Sequence, residues 1–330
     1  MSNHVSVVIP NFNRMELIQE TLNSLRPEYH SGVELEVIVV DDGSTDGGDL
    51  LIEKNYPWVK LEKQSKKGAP AARNNGLSLA TGKYVLFLDS DDLVEKGFFL
   101  KKVSVLDERV EVSGVYGPWD HFDSETRKII PRFKPYPLEG ELSGRHLERL
   151  LSGWYINPNA ILWRLEIIKR LGGYKEGLLV NQDVELLFRM LSSGQKILGV
   201  ESPRALYREH RGDRVGTVKS AEKLACILHL RKEFYGVLKE KHLWNESHAK
   251  SLGTFLFYTW AEYQDHFPKL SVEFLTFSRE IYPRLRLRGR VLLQMLDITF
   301  GPVNAIKIRN RIMGCLNKLQ SFNVRHFFNC

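Results

Sequence analysis

Cysteine is scarce in this chain. Its 330 residues include three, Cys226, Cys315 and Cys330. They are far apart and odd in number, so they point to a reducing compartment and supply neither a disulfide framework nor a zinc site. Long apolar runs are absent as well, since none approaches the roughly 18 residues that a bilayer-spanning helix needs. Met1-Ser2-Asn3-His4 leads straight into a strand pattern, so no signal peptide is expected. No G-x-G-x-x-G follows a predicted strand, which argues against a dinucleotide-dependent oxidoreductase. Acidic residues run short in one place. Between Ile281 and Cys330 nine Lys or Arg stand against one acid, Asp297, in a chain whose net charge is +7. The body is therefore close to neutral, which speaks against a nucleic-acid partner and leaves a basic tail to explain.

What is present is a globular composition, 43% hydrophobic and 26% charged, at a length that suits one large domain or two ordinary ones. The first third alternates strand and helix patterns. Val5-Ser6-Val7-Val8-Ile9 is a β-branched run ended by Pro10, and Val37-Ile38-Val39-Val40 reads as a strand buried on both faces. Further strands are expected at Val59–Glu62, Tyr84–Leu88 and Val112–Tyr116. Met15, Ile18, Leu22 and Leu25 form one helical stripe, with Asn13 as the expected N-cap and Glu16 as its capping-box partner. A second helix is expected over 69–80, with Pro70 tolerated in its first turn. Pro118 to Pro137 reads as a loop or hairpin, helices are expected over 145–151, 164–171 and 182–193, and helical patterns dominate beyond Ser220.

Strands alternating with helices predict an α/β domain with a mostly parallel sheet. Ligands in such sheets bind outside the carboxyl ends of the strands. The polar clusters fall there: Asn11 and Asn13 after the first strand, Asp41-Asp42 after the second, and Asp89-Ser90-Asp91 after the fourth. With Asp92 next, three carboxylates in four residues repel one another, and a hard divalent cation such as Mg²⁺ or Mn²⁺ would neutralise them together with substrate phosphates. The alternative for an isolated motif of this kind is a solvated acidic turn.

Four segments, in this order, resemble the opening of the family 2 glycosyltransferases: Val5 to Arg14, Val39 to Asp46, Ala71-Ala72-Arg73-Asn74-Asn75-Gly76-Leu77, and Leu86-Phe87-Leu88-Asp89-Ser90-Asp91-Asp92. The likeness continues more weakly through Gly172-Gly173-Tyr174, Gln182-Asp183-Val184-Glu185-Leu186 and Tyr207-Arg208-Glu209-His210. The resemblance implies a GT-A fold over 1–215, an α/β Rossmann-like domain whose residues 1–110 bind the nucleotide sugar and 111–215 the acceptor. A mainly helical, basic region would follow over 216–330. It implies metal-dependent, inverting transfer of a hexosyl or N-acetylhexosaminyl group from a nucleotide-diphosphate sugar, by default a UDP-sugar. The acceptor would be the hydroxyl of a glycan or lipid-linked glycan, in cell-surface polysaccharide synthesis. The implied place is the cytoplasm, with peripheral contact on the inner membrane face.

Matched position by position, the resemblance places Pro10, Phe12 and Arg14 at the nucleotide pocket, where the family more often has Tyr in place of Phe12. Asp42 would bond the base, Arg73 the base or diphosphate, and Asp89 with Ser90 the ribose or sugar side. Asp91 would ligate Mn²⁺ or Mg²⁺, His210 would help hold the metal or diphosphate with Arg208 nearby, and Asp183 would be the catalytic base. A metal answers the charge on the leaving diphosphate, and a carboxylate base activates the acceptor hydroxyl. Asp183 opens a predicted helix, whose N-terminal dipole favours an ionised carboxylate.

Other readings of these residues stay open. Asp183 could cap its helix, and Asn181-Gln182 stands where the family usually has an acid before this Asp. Asp42 could serve only its turn with Gly43, and His210 could be a surface histidine. Trp154, Tyr155 and Asn157, with Trp119 and His121, are candidates for holding an acceptor sugar, with core packing as the alternative. In the tail Arg284, Arg286, Arg288 and Arg290 alternate with Leu285 and Leu287, a pattern that suits an anionic membrane surface, a solvated helical face or an oligomer contact. Two other functions compete. A sugar-phosphate nucleotidyltransferase would want a glycine-rich loop where Asn11-Phe12-Asn13-Arg14 stands. A non-catalytic nucleotide- or carbohydrate-binding protein would have lost the metal acid or the base, and Asp91 and Asp183 are both present.

Overall fold

The computed structural model of the chain describes residues 4–130, 145–209 and 220–283. Strand β1 (His4–Asn11) leads through α1 (Met15–Ser24), β2 (Glu34–Asp41), α2 (Gly48–Asn55), β3 (Val59–Lys63) and α3 (Ala69–Leu79) to β4 (Tyr84–Phe87). Then come β5 (Leu93–Val94), α4 (Leu100–Glu108), β6 (Val112–Tyr116), β7 (Trp119–Asp123), β8 (Ile129–Ile130) and α5 (His146–Leu151). Strand β9 (Ile161–Arg164), α6 (Leu165–Arg170), α7 (Gln182–Ser192), β10 (Lys196–Gly199) and β11 (Ala205–Glu209) follow, and α8 (Ala221–Glu240), α9 (Glu246–Tyr263) and α10 (Pro268–Ile281) end the described chain. The residues divide into two compact units, one holding 4–130 and 156–209, the other 145–155 and 220–283.

In the first unit a seven-stranded sheet runs in the order β10-β6-β9-β4-β1-β2-β3. Its pairings are parallel except where β9 lies antiparallel to β4 and β6, as the strand–helix alternation predicts. Strands β2 and β4 flank β1, so the strand order reverses around β1. That opens the binding crevice of such sheets at the carboxyl ends of β1 and β4. Val7, Val8 and Ile9, Val37 to Val40 and Val85 to Leu88 are all buried, which explains their unbroken apolar runs. Helix α3 lies close against this layer through Gly76, where an added Cβ would stand 2.4 Å from Val8 Cγ1. A second, four-stranded sheet runs β5-β11-β7-β8, and the expected hairpin after Pro118 is its β7–β8 pair.

The cap of α1 differs from expectation. Asn13 has φ +51° and lies outside the helix, where its Oδ1 accepts from Thr45 N at 2.8 Å. The first turn is closed instead by Asp46 from the loop after β2, whose Oδ2 accepts from Met15 N at 2.8 Å and whose Oδ1 accepts from Gly48 N at 3.1 Å. One carboxylate thus serves the starts of two helices, α1 and α2. Strands β5, β9, β10 and β11 go beyond the sequence reading. They are short, and β9 runs directly into α6, so its apolar residues read as part of the helix.

The second unit is helical, as expected beyond Ser220, whose Oγ accepts from Lys223 N to cap α8. Asn245 caps α9 by accepting from His248 N at 3.0 Å. Residues 145–155, expected in the acceptor half of the first domain, belong to this unit because α5 packs on α9. Among the described residues no helix is long and apolar enough to cross a membrane. His210 and the basic segment from Arg284 onward lie outside the described residues.

Candidate active site

Three loops at the carboxyl ends of β1, β2 and β4 meet at the crevice. Pro10 is buried at the end of β1. The Asn11 amide donates to Asp41 Oδ1 at 3.1 Å, and Asp41 Oδ2 accepts from Ser44 N at 2.9 Å. Asp42 is buried, and its carboxylate accepts from the Gln64 amide, Lys67 N and Gly68 N, each at 2.8 Å. It thus fixes the loop that enters α3, and one of its roughly four acceptor positions remains for a further N–H donor. Phe12 is half-buried, with the Lys66 ammonium 4.0 Å over its ring.

The acidic loop after β4 splits into unlike parts. Asp89 is reached by Arg73, a buried residue of α3, at 2.6 Å. Asp91 is paired with Arg14 at 3.1 Å and is 18% exposed. Ser90 is buried between them. Asp92 turns into the core, where it accepts from Arg208 N at 2.9 Å and from the Asn159 amide at 2.8 Å. Burial raises its carboxyl pKa well above the usual range, and the neighbouring Asp91 and Asp89 push it the same way. Like charges are thus kept apart by sending one side chain inward and pairing two others with arginines.

Arg208, on β11, braces this loop. Its backbone N–H holds Asp92, its Nε donates to the Asp91 carbonyl at 2.7 Å, and its Nη2 meets Glu20 at 2.6 Å. The guanidinium also lies 4.5 Å from the Phe122 ring centre. The structure therefore places Arg208 on the backbone beneath Asp91, its charge matched by Glu20.

Asp183 stands in the first turn of α7, one residue inside the helix, and Asn181 occupies the cap position with φ +61°. Helix capping therefore does not account for Asp183. Its carboxylate faces Arg73, Asp89 and the Tyr174 hydroxyl. Oδ1 is buried and accepts no hydrogen bond. Burial raises the pKa of this carboxyl and Asp89 adds to the rise, while Arg73 and the Tyr174 hydroxyl oppose it. Asp183, Tyr174, Trp163, Ile156 and Leu187 line one small pocket. Arg73 also donates from Nη1 to Gln182 Oε1 at 3.3 Å and lies 5.0 Å from the Tyr174 ring centre. Burial works against its charge, but the Asp89 and Asp183 carboxylates outweigh it and the guanidinium stays protonated.

Of the expected site residues, Asp89 and Asp183 come together around the buried Arg73, Arg14 pairs with Asp91 nearer the surface, and Pro10, Phe12 and Asp42 line the adjoining loops. Tyr174, Gln182, Asn74 and Glu20 join them through contacts that sequence alone does not show. The available signal was the position of Asn74 inside a main motif and of Tyr174 and Gln182 inside the weaker ones. Trp119 is buried in the core, and His121 Nδ1 lies 2.7 Å from Glu209 Oε1. Trp154 and Tyr155 belong to the second unit, where the Trp154 ring lies 5.8 Å from His146. Asn157 is buried and caps the short turn over Pro158–Ala160.

The family model described as glycosyl transferase family 2 matches residues 6–169. An amylovoran biosynthesis glycosyltransferase of Erwinia amylovora, AmsB, is 30% identical over 233 residues, 64% of this chain and 73% of that protein. The chain belongs to glycosyltransferase family 2. Shorter matches join it to YibD, an uncharacterized glycosyltransferase of Escherichia coli, at 34% identity over 39% of each chain. The poly(ribitol-phosphate) β-N-acetylglucosaminyltransferase TarP of Staphylococcus aureus is 38% identical over 28% of this chain and 29% of that protein. The chain thus spans well under half the length of these two relatives. Among solved structures, S. aureus TarS 1–349 in complex with UDP-GlcNAc superposes with a TM-score of 0.59 at 20% identity, over 91% of this chain and 82% of that one. At this identity the likeness establishes the shared GT-A fold.

Proposed function

We propose that this glycosyltransferase acts with inversion, moving a hexosyl or N-acetylhexosaminyl group from a UDP-sugar to an acceptor hydroxyl in the building of a cell-surface polysaccharide. The observation that carries the reading is Asp183: a carboxylate with a buried Oδ1 and a pKa raised by burial, in the first turn of a helix, facing the cation that also holds Asp89. A base poised in this way takes the proton of the acceptor hydroxyl as that oxygen bonds the anomeric carbon, while the bond from that carbon to the diphosphate oxygen breaks. The nucleoside diphosphate leaves with the electron pair, and no protein nucleophile is needed. Arg73 favours the ionised form of Asp183 through its charge and orients Asp89 for the sugar or ribose hydroxyls. Pro10, Phe12 and the free acceptor position of Asp42 receive the base, with Ser90 beside the sugar. Arg14, paired with Asp91, would turn to a phosphate oxygen when the donor binds, and Arg208 holds the Asp91 backbone in place.

The donor set suits a hard cation. No three His, Cys, Asp or Glu side chains among the described residues form a metal-holding group, and Mg²⁺ or Mn²⁺ needs only one or two carboxylates when diphosphate oxygens and water complete its shell. Asp91, with His210, would hold it, and its positive charge would stabilise the departing diphosphate. UDP-GlcNAc bound to a protein of the same fold supports the choice of a uridine donor. The basic segment beyond Arg284 would bring the enzyme to the anionic inner face of a membrane, where a lipid-linked acceptor resides. Calorimetric titration with UDP, GDP and dTDP, with and without Mn²⁺, tests the donor and metal assignments. UDP binding that needs Mn²⁺ and disappears in Asp91→Ala is expected. Equal binding in the variant would overturn the metal site, and failure of the folded protein to bind any of the three would overturn the transferase reading.

A further inference from the structure

Tyr174 and Asn74 have no assigned part in the chemistry, yet they frame Asp183. Tyr174 is buried, 4% exposed, in the segment between α6 and α7. Its ring meets Phe87 edge-on at 4.9 Å and carries the Arg73 guanidinium at 5.0 Å. Asn74, the residue after Arg73 on α3, grips its backbone from both sides: Asn74 Oδ1 accepts from Tyr174 N at 2.7 Å, and Asn74 Nδ2 donates to the Tyr174 carbonyl at 2.9 Å. The same amide donates to Glu176 at 3.0 Å. An Asn side chain that satisfies both backbone groups of one residue acts as a substitute strand partner and fixes that residue in place. The clamped tyrosine and Asp183 line the same small pocket, and the hydroxyl is near enough to the carboxylate to favour its charge. Two adjacent residues of α3 therefore reach the site by different routes: Arg73 through its charge, and Asn74 through its bonds to the Tyr174 backbone.

We propose that Tyr174 is a positioning residue for the catalytic base, aiming the Asp183 carboxylate by hydrogen-bond donation, and that the Asn74 clamp is what holds Tyr174 to this task. The proposal rests on the assignment of Asp183 as the base. The charged and titratable groups facing Asp183 are Arg73 from α3, Asp89 from the loop after β4, and Tyr174 itself. A neutral phenol favours the ionised carboxylate without adding charge, so it tunes the base and leaves the electrostatics of the donor pocket alone. Tyrosine has the rigid reach for this, because its ring packs against both Phe87 and Arg73.

The test is a carboxyl ¹³C titration of the full chain labelled at aspartate, with Asp183→Asn identifying the Asp183 resonance. In Tyr174→Phe, which keeps the ring contacts, the Asp183 midpoint is expected to move to higher pH. In Asn74→Ala the midpoint moves the same way, and exchange of the Tyr174 amide proton accelerates because its acceptor is gone. A packing role alone would lower the melting temperature and leave the midpoint in place. An unmoved midpoint in Tyr174→Phe overturns the proposal, and an unmoved midpoint in Asn74→Ala despite fast Tyr174 exchange overturns the clamp. The base assignment fails separately: UDP-GlcNAc hydrolysis that survives in Asp183→Asn would remove it whatever the titration shows.

Discussion

Replacing Arg73 by methionine keeps most of the side-chain volume and removes the charge, so it isolates what the buried cation does. Arg73 holds Asp89 at 2.6 Å, with side-chain exposures of 6% and 32%. Removing one partner of a buried ion pair costs about 3–5 kcal/mol. Water reaches a third of Asp89 and screens the charge left behind, which lowers the expected cost to roughly 2 kcal/mol. For a unit of this size each kcal/mol is worth about 2–4 °C, so the melting temperature should fall by about 4–8 °C. A second effect is chemical. Arg73 is the largest influence holding the Asp183 pKa down against burial, so its loss raises that pKa further. A general base works in its ionised form, so the rate rises with pH through the pKa of Asp183. In Arg73→Met the acid limb of the rate profile should shift to higher pH. Thermal melts and UDP-GlcNAc turnover across the pH range measure both effects. A variant that melts like the parent and keeps the same acid limb would refute the role given to this cation.

Other substitutions address separate parts of the molecule. Asp183→Asn should reduce turnover by about 10²–10⁴-fold. It should also melt at or above the parent temperature at neutral pH, because a carboxyl with a raised folded-state pKa weakens the fold as pH climbs through that value and it ionises. Asp46→Ala removes the acceptor at the starts of both α1 and α2, and should cost about 1–2 kcal/mol, read from the midpoint of urea unfolding. Gly114→Ala would put a Cβ 2.4 Å from Trp163 Cε3, on the neighbouring strand β9. Overpacking of that kind costs about 1–3 kcal/mol, visible as a lower melting temperature.

The α/β architecture was legible in the sequence because its central strands are buried on both faces. Val7 to Ile9, Val37 to Val40 and Tyr84 to Leu88 are unbroken apolar or β-branched runs for that reason, and the polar clusters that follow them mark the crevice whatever else the chain does. The short strands β5, β9, β10 and β11 were hidden, since a few residues paired only through distant partners leave no period to read. Local rules misled where a remote group competed better. Asn13 has the chemistry of a cap, but Asp46 from the next loop took the helix start and Asn13 turned away to bind Thr45.

The sequence by itself determined the fold class and the identity of the charged groups, because strand burial and motif order are written in consecutive residues. Only the tertiary structure decided what each carboxylate does. Asp89, Asp91 and Asp92 are near neighbours in the chain, yet one meets a buried arginine, one a half-exposed arginine, and one the backbone of a distant strand. The state of Asp183 depends on Arg73, about a third of the chain away, and on a tyrosine that Asn74 holds in place. Burial and charge pairing act through space, and those distances exist only once the chain has folded.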